Sequence, residues 1–355
     1  MTILKKNVKR RHFVIFFLTI AVPILAYFLL KKPFPDSYSK LDPTDQKMFD
    51  ELTLQYKTFD QSADKLWTSA YQYNKEPLIL IRSDKSKYSC HYIYLINTSK
   101  WVDTKKYKKI NFPGNPYLKD VYLARYLGSE SVKYLIPGAF RYSTLENKEM
   151  LAFKFYPELF DKKIIFPDFN YFSLHEAFHL YVQKKWIYDK DGGDYIENYP
   201  YNKENFNLLR KEYKLLDEGL KTTDTKKLDS IMKQWVEIRD IRLKKWPQLI
   251  AEKNSEAIEG TAEYLEHRYS DLTAKDKHFN TNEQGKSFTF SQVLEHIIKN
   301  KPYHEYLARQ ASYDKGAALG YILDKLDPSW KQKIEDSPKH RGLTQYDILK
   351  SRYFK

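Results

Sequence analysis

The sequence predicts an α+β fold, with an N-terminal transmembrane helix, then an antiparallel-rich sheet, then a mainly helical half. Three observations carry this reading. Residues 13–30, FVIFFLTIAVPILAYFLL, contain no charge. Between residues 77 and 166, short apolar or alternating runs are separated by turn formers, the texture of strands. From Phe172 onward the apolar residues recur at helical spacing.

The first segment is long enough to cross a bilayer with little tilt. Lys5, Lys6, Lys9, Arg10 and Arg11 precede it, and Lys31 and Lys32 follow. The heavier positive side stays in the cytoplasm, so residues 1–11 read as a basic cytoplasmic tail and 12–30 as a single-pass anchor. Everything after residue 32 is then expected outside the cell membrane. A cleaved signal peptide is the competing reading, but Leu29-Leu30-Lys31-Lys32-Pro33 offers no small-x-small site.

Residues 31–75 read as a linker and helices. Asp42-Pro43 is an N-cap residue followed by proline at the first helical position, and apolar residues at 48, 49, 52, 56 and 59, then 63, 66, 67 and 70, predict two helices up to about Tyr73. In the β-rich part, 76–166, the expected strands are LILI (78–81), YIYLI (92–96), VYLARYL (121–127), KYLI (133–136), LAFKF (151–155) and IIF (164–166), with turns at Pro113-Gly114-Asn115-Pro116 and Pro137-Gly138. Residues 167–355 form the helical part, with a helical hairpin at about 200–247, its helices at roughly 203–220 and 225–245.

Composition narrows the chemistry. With 355 residues, 42% hydrophobic, the chain can bury a sizeable core. Lys+Arg exceed Asp+Glu by 60 to 46, a net charge of +14 that favours anionic neighbours such as phospholipid headgroups or anionic envelope polymers. The lysines are spread along the whole length rather than interleaved with aromatics, so nucleic acid is set aside. The single cysteine, Cys90, excludes an intrachain disulfide and a cysteine-based zinc site. Any metal must be held by His, Asp or Glu.

One stretch has the spacing for that. In Leu174-His175-Glu176-Ala177-Phe178-His179-Leu180, the histidines are four apart. On a helix they differ by about 40° in azimuth and their imidazoles can meet one ion. Glu176 lies beside that face and can reach a metal-bound water without ligating the metal, the arrangement of H-E-x-x-H zinc hydrolases. A catalytic zinc site needs a third protein ligand, and the acidic helical run from Glu256 to His267 supplies candidates. Glu259 is the first choice, because Gly260 and Ala262 beside it would let this helix approach the histidine-bearing one. Glu263 or His267 could take its place. Glu263 is also expected to accept the ring N–H of a ligand histidine, with Glu266 as the alternative for that task. His91 reads as a structural strand residue, and Arg239 and Arg242 as residues of a solvated helix face.

HEAFH followed by IEGTAEYLE resembles the gluzincin clan of zinc metallopeptidases, most closely the membrane aminopeptidase and leukotriene-hydrolase type. Glu259, Gly260, Tyr264 and Glu266 match its E-G-x-x-x-Y-x-E pattern, and Ser312-Tyr313-Asp314-Lys315-Gly316 is similar to its Y-x-K-G helix start. The resemblance implies a zincin-like catalytic subdomain in which Zn2+ is held by His175, His179 and Glu259, Glu176 is the general base, and Tyr313 donates to the oxyanion. His304 is the fallback for the last role. The implied substrate is a peptide or protein. Two departures stand out: Glu259 follows His179 by 80 positions, and Pro137-Gly138-Ala139-Phe140-Arg141 has no acid where the aminopeptidases bind the substrate amine. The alternatives are thus an aminopeptidase with a non-standard amine site, or a surface binding protein with a non-catalytic zinc.

Overall fold

The computed structural model describes residues 34–84, 91–124, 140–145, 147–160, 168–186, 195–275, 277–281, 285–336 and 340–354. The expected anchor at 12–30, the runs KYLI and IIF, the Pro137-Gly138 turn and Cys90 lie outside them. Among the described residues, no helix is long and apolar enough to cross a membrane.

The described residues fold as α+β, with a six-stranded sheet and a larger helical part. Six strands, β1 (Leu78–Arg82), β2 (Tyr92–Ile96), β3 (Lys108–Lys109), β4 (Val121–Ala124), β5 (Phe140–Leu145) and β6 (Lys148–Phe155), stand in the order β3-β4-β2-β1-β6-β5. All neighbours are antiparallel except β1 and β6, which run parallel with Leu80 opposite Phe153. Central strand β1 is buried along its whole length, which explains its unbroken apolar run. Alternation still sorts its side chains: Leu78 and Leu80 join the main core with the helices, and Ile79 and Ile81 join a smaller cluster with Ile93, Leu95 and Met150 on the other face. Among the described residues, strands β3 and β5 form the two edges.

The described residues form ten helices: α1 (Pro43–Leu66), α2 (Phe169–Tyr181), α3 (Lys203–Lys221), α4 (Thr225–Lys245), α5 (Ile250–Thr273), α6 (Phe290–Lys299), α7 (Glu305–Ala308), α8 (Ala311–Leu326), α9 (Trp330–Ile334) and α10 (Gln345–Tyr353). Asp42 caps α1 by accepting from the Thr44 amide, as its sequence predicts. The two expected helices there are one, kinked where Ser62 leaves helical geometry (φ −151°), and the helix stops at Leu66, before Tyr73. Packing explains the continuity, since Phe49, Leu52, Tyr56, Phe59, Ala63 and Leu66 line one buried face on both sides of the kink.

The hairpin at 203–245 is not an ornament on the surface. Arg239 and Arg242, expected on a solvated face, are both fully buried. Arg239 bonds Glu212 and Glu256 at 3.0 Å each, and Arg242 bonds Glu212 at 3.0 Å and Glu252 at 2.8 Å. Lys315 of α8 adds a third buried cation, 3.1 Å from Glu256. Three acids matched by three bases permit burial of charge that periodicity alone assigns to solvent. His91 also differs from expectation: it lies before β2, exposed, with Nε2 2.9 Å from Asp84.

Helices α5 and α8 cross at Gly260 and Gly316. A methyl group built on either glycine would fall within 3.0 Å of the other's Cα. The small residue beside Glu259 therefore admits α8, not the histidine-bearing α2 as expected, because Gly260 lies on the α8 side of α5.

Candidate metal centre

Helix α2 begins at Phe169 because Asp168 accepts from the Asn170 amide at 2.8 Å and the Tyr171 amide at 3.4 Å. It carries His175, Glu176 and His179 along the wall of a cleft of about 560 Å³. Helix α5 supplies Glu259, Glu263 and Glu266, α8 supplies Tyr313, and edge strand β5 supplies Phe140 and Tyr142. The cleft thus runs between the sheet edge and the helical part.

Glu259 Oε2 lies 3.2 Å from Nε2 of His175 and 3.3 Å from Nε2 of His179. These spacings fit the donor set of a tetrahedral zinc ion, whose bonds of roughly 2.0–2.2 Å place ligand atoms about 3.4 Å apart. Each ring is fixed through its other nitrogen. Nδ1 of His175 is 2.6 Å from Glu266 Oε1. Nδ1 of His179 meets Gln183 Oε1, and the amide nitrogen of Gln183 donates to Ile258 O at 2.8 Å and Thr261 Oγ1 at 2.7 Å. With its NH2 committed in this way, the Gln183 oxygen must face His179, so Nδ1 is the donor and Nε2 keeps its lone pair for a metal.

Glu263 does not take the expected place beside a ligand histidine; Glu266, the alternative, does. Seven residues return Glu266 to within about 20° of Glu259 around α5, whereas Glu263 lies about 40° to the other side. Glu263 instead pairs with Lys277 at 2.8 Å. Lys277 also meets Glu266 Oε2 at 3.0 Å.

Glu176 is buried beside the imidazoles, where desolvation raises its carboxyl above the ordinary glutamate range. His175, His179 and a hydrogen bond from Tyr142 partly oppose that rise. The Tyr142 hydroxyl donates to Glu176 Oε2 at 3.2 Å. Burial and the nearby carboxylate push the Tyr142 phenol upward, so it stays protonated and donates. Tyr313 stacks on His175, ring centroids 5.8 Å apart, and lines the same cleft. His304 packs against Tyr201 and Phe206 and is absent from the cleft lining. His267 is turned away from His175 and His179, toward Glu263 and Asp314.

Gln183 and Tyr142 were not singled out from the sequence. The signal for Gln183 was its position four residues after His179, one helical turn on; Tyr142 had none. The chain matches no family model, no curated protein and no solved structure.

Proposed function

We propose that the chain is a membrane-anchored zinc metallopeptidase that hydrolyses peptide bonds in peptides or proteins outside the cell membrane. The observation that carries this reading is the convergence of His175 Nε2, His179 Nε2 and Glu259 Oε2, with each ring's Nδ1 held by an acceptor. Zinc bound there would supply a Lewis acid and a water of lowered pKa. Glu176, one residue from His175 and buried at the same face, is placed to take the proton from the attacking water and pass it to the leaving amine. Its raised pKa keeps it basic enough for that exchange. A buried glutamate beside the ligands has no task in a purely structural site, which favours the enzyme over a binding protein. Tyr313 lines the α8 side of the cleft, its hydroxyl suited to developing negative charge on the substrate, while Tyr142 on the sheet side donates to Glu176. The anchor reading rests on residues 12–30 and their flanking lysines and arginines.

The test is Glu176→Gln in the full-length chain. Zinc content should be kept and hydrolysis of a peptide library should fall by at least about 10²-fold, within the range for loss of a general base. Full activity would overturn the assignment. A pair of peptides with blocked and free N-termini separates an endopeptidase from an aminopeptidase.

A further inference from the structure

We propose that Glu263, His267 and Asp314 form a second divalent-cation site, next to the first but built from different ligands. His267 is 3% exposed and its Nε2 has no hydrogen-bond partner. That nitrogen points between two carboxylates, 3.5 Å from Glu263 Oε1 and 3.7 Å from Asp314 Oδ1. Both gaps are long for a hydrogen bond from an imidazole, yet close to the separation of about 3.4 Å between donors that share a tetrahedral ion. One ligand atom from each of the three residues lies within 4.8 Å of those of the other two.

The supports of the site are in place. Glu263 and His267 are four apart on α5 and so face the same way. Asp314, in the first turn of α8, is steadied by the Asn280 amide, which donates to its other oxygen at 3.2 Å. Phe279 lies over the imidazole, centroids 4.2 Å apart, and shields it from water. The Lys277 ammonium already contacts Glu263 Oε1 at 2.8 Å, and a carboxylate oxygen has a second lone pair to offer. Charge favours a further cation: five carboxylates, Glu176, Glu259, Glu263, Glu266 and Asp314, stand near two cations, Lys277, which pairs with Glu263 and Glu266, and Arg309, which lines the same cleft. An imidazole among the donors selects a zinc-like transition ion over calcium or magnesium. Bound there, the ion would tie α5 to the start of α8. It would also touch the first site through Glu263, Lys277 and Glu266, the last of which holds His175.

The test counts zinc per chain in the full-length protein after chelator treatment, reloading with Zn2+ and dialysis. Two ions are expected in the wild type, one in His267→Gln and one in Asp314→Asn. His179→Gln should lose the other ion and keep this one. A single ion in the wild type that persists in His267→Gln overturns the second site and leaves the first intact. Two ions retained by both His267→Gln and Asp314→Asn overturn it as well. Two ions retained by His179→Gln count against the first site alone. Should the variants fail to fold, anomalous diffraction at the zinc edge from wild-type crystals decides: a peak beside His267 supports the site, and its absence in zinc-loaded crystals overturns it.

Discussion

The Glu266 carboxylate lies 2.6 Å from Nδ1 of His175, on the side of the ring opposite Glu259. A carboxylate in that position fixes the ring's orientation and makes its other nitrogen a stronger donor. Glu266→Gln should therefore weaken zinc binding by about 10- to 100-fold while leaving the fold in place. Competition with a chromogenic chelator measures the first, and far-ultraviolet circular dichroism the second. An unchanged affinity would show that His175 needs no such partner.

Tyr142 is expected to act through Glu176. Its hydrogen bond stabilises the ionised carboxylate, so Tyr142→Phe raises the pKa of Glu176. Because the base works only when deprotonated, the acid limb of the kcat/KM profile should move to higher pH. Tyr313→Phe removes the hydroxyl proposed to donate to the oxyanion and should lower kcat without moving that limb. A pH profile of both variants on one peptide distinguishes the two phenols; a Tyr142→Phe limb that stays in place would reject the assignment.

Arg242→Met should cost about 3–5 kcal/mol, the range for removing one partner of a buried ion pair. The variant leaves Glu212 and Glu252 in the core without a guanidinium that now contacts both. Urea denaturation of wild type and variant provides the measurement, and a change under about 1 kcal/mol would mean that water reaches this network.

The same network sets a pH dependence. Burial pushes the Glu252 carboxyl up, but Arg242, Lys315 and Arg239 outweigh it and hold the group well below the usual carboxylate range. A depressed acid contributes stability that is fully present above its unfolded value and is lost as pH falls through the folded one. From this group, the urea midpoint should be flat above the ordinary glutamate value of about 4.3 and decline below it. A midpoint that already falls between pH 7 and pH 5.5 would require a different titrating group.

The reach of the sequence followed burial and spacing. The hairpin helices at 203–221 and 225–245 were legible almost to the residue from their helical spacing, and in the structure Asn202 and Asp224 cap them. So were β1 and β2, whose buried residues form unbroken apolar runs. Strand β5, FRYSTL, was not: at an edge with solvated positions it keeps no apolar pattern, and with it went Tyr142. Parallel pairing of β1 with β6 leaves no local trace either, since it depends on what the chain does between them. At the site, helical periodicity singled out His175 and His179, whereas Glu259 was chosen for the small residues beside it, of which Gly260 meets α8 instead. The choice of Glu266 over Glu263 was within reach of the same periodicity, since seven residues bring Glu266 back to the side of α5 that carries Glu259.

The meeting of Gly260 with Gly316 has one more consequence. With bare backbone against bare backbone, no side chain can repack to let α5 and α8 drift apart, so the offset between Glu259 on one rod and Tyr313 on the other is dictated by atomic radii. The pair works as a spacer gauge between the rod that carries the proposed metal ligand and the rod that carries the proposed oxyanion donor.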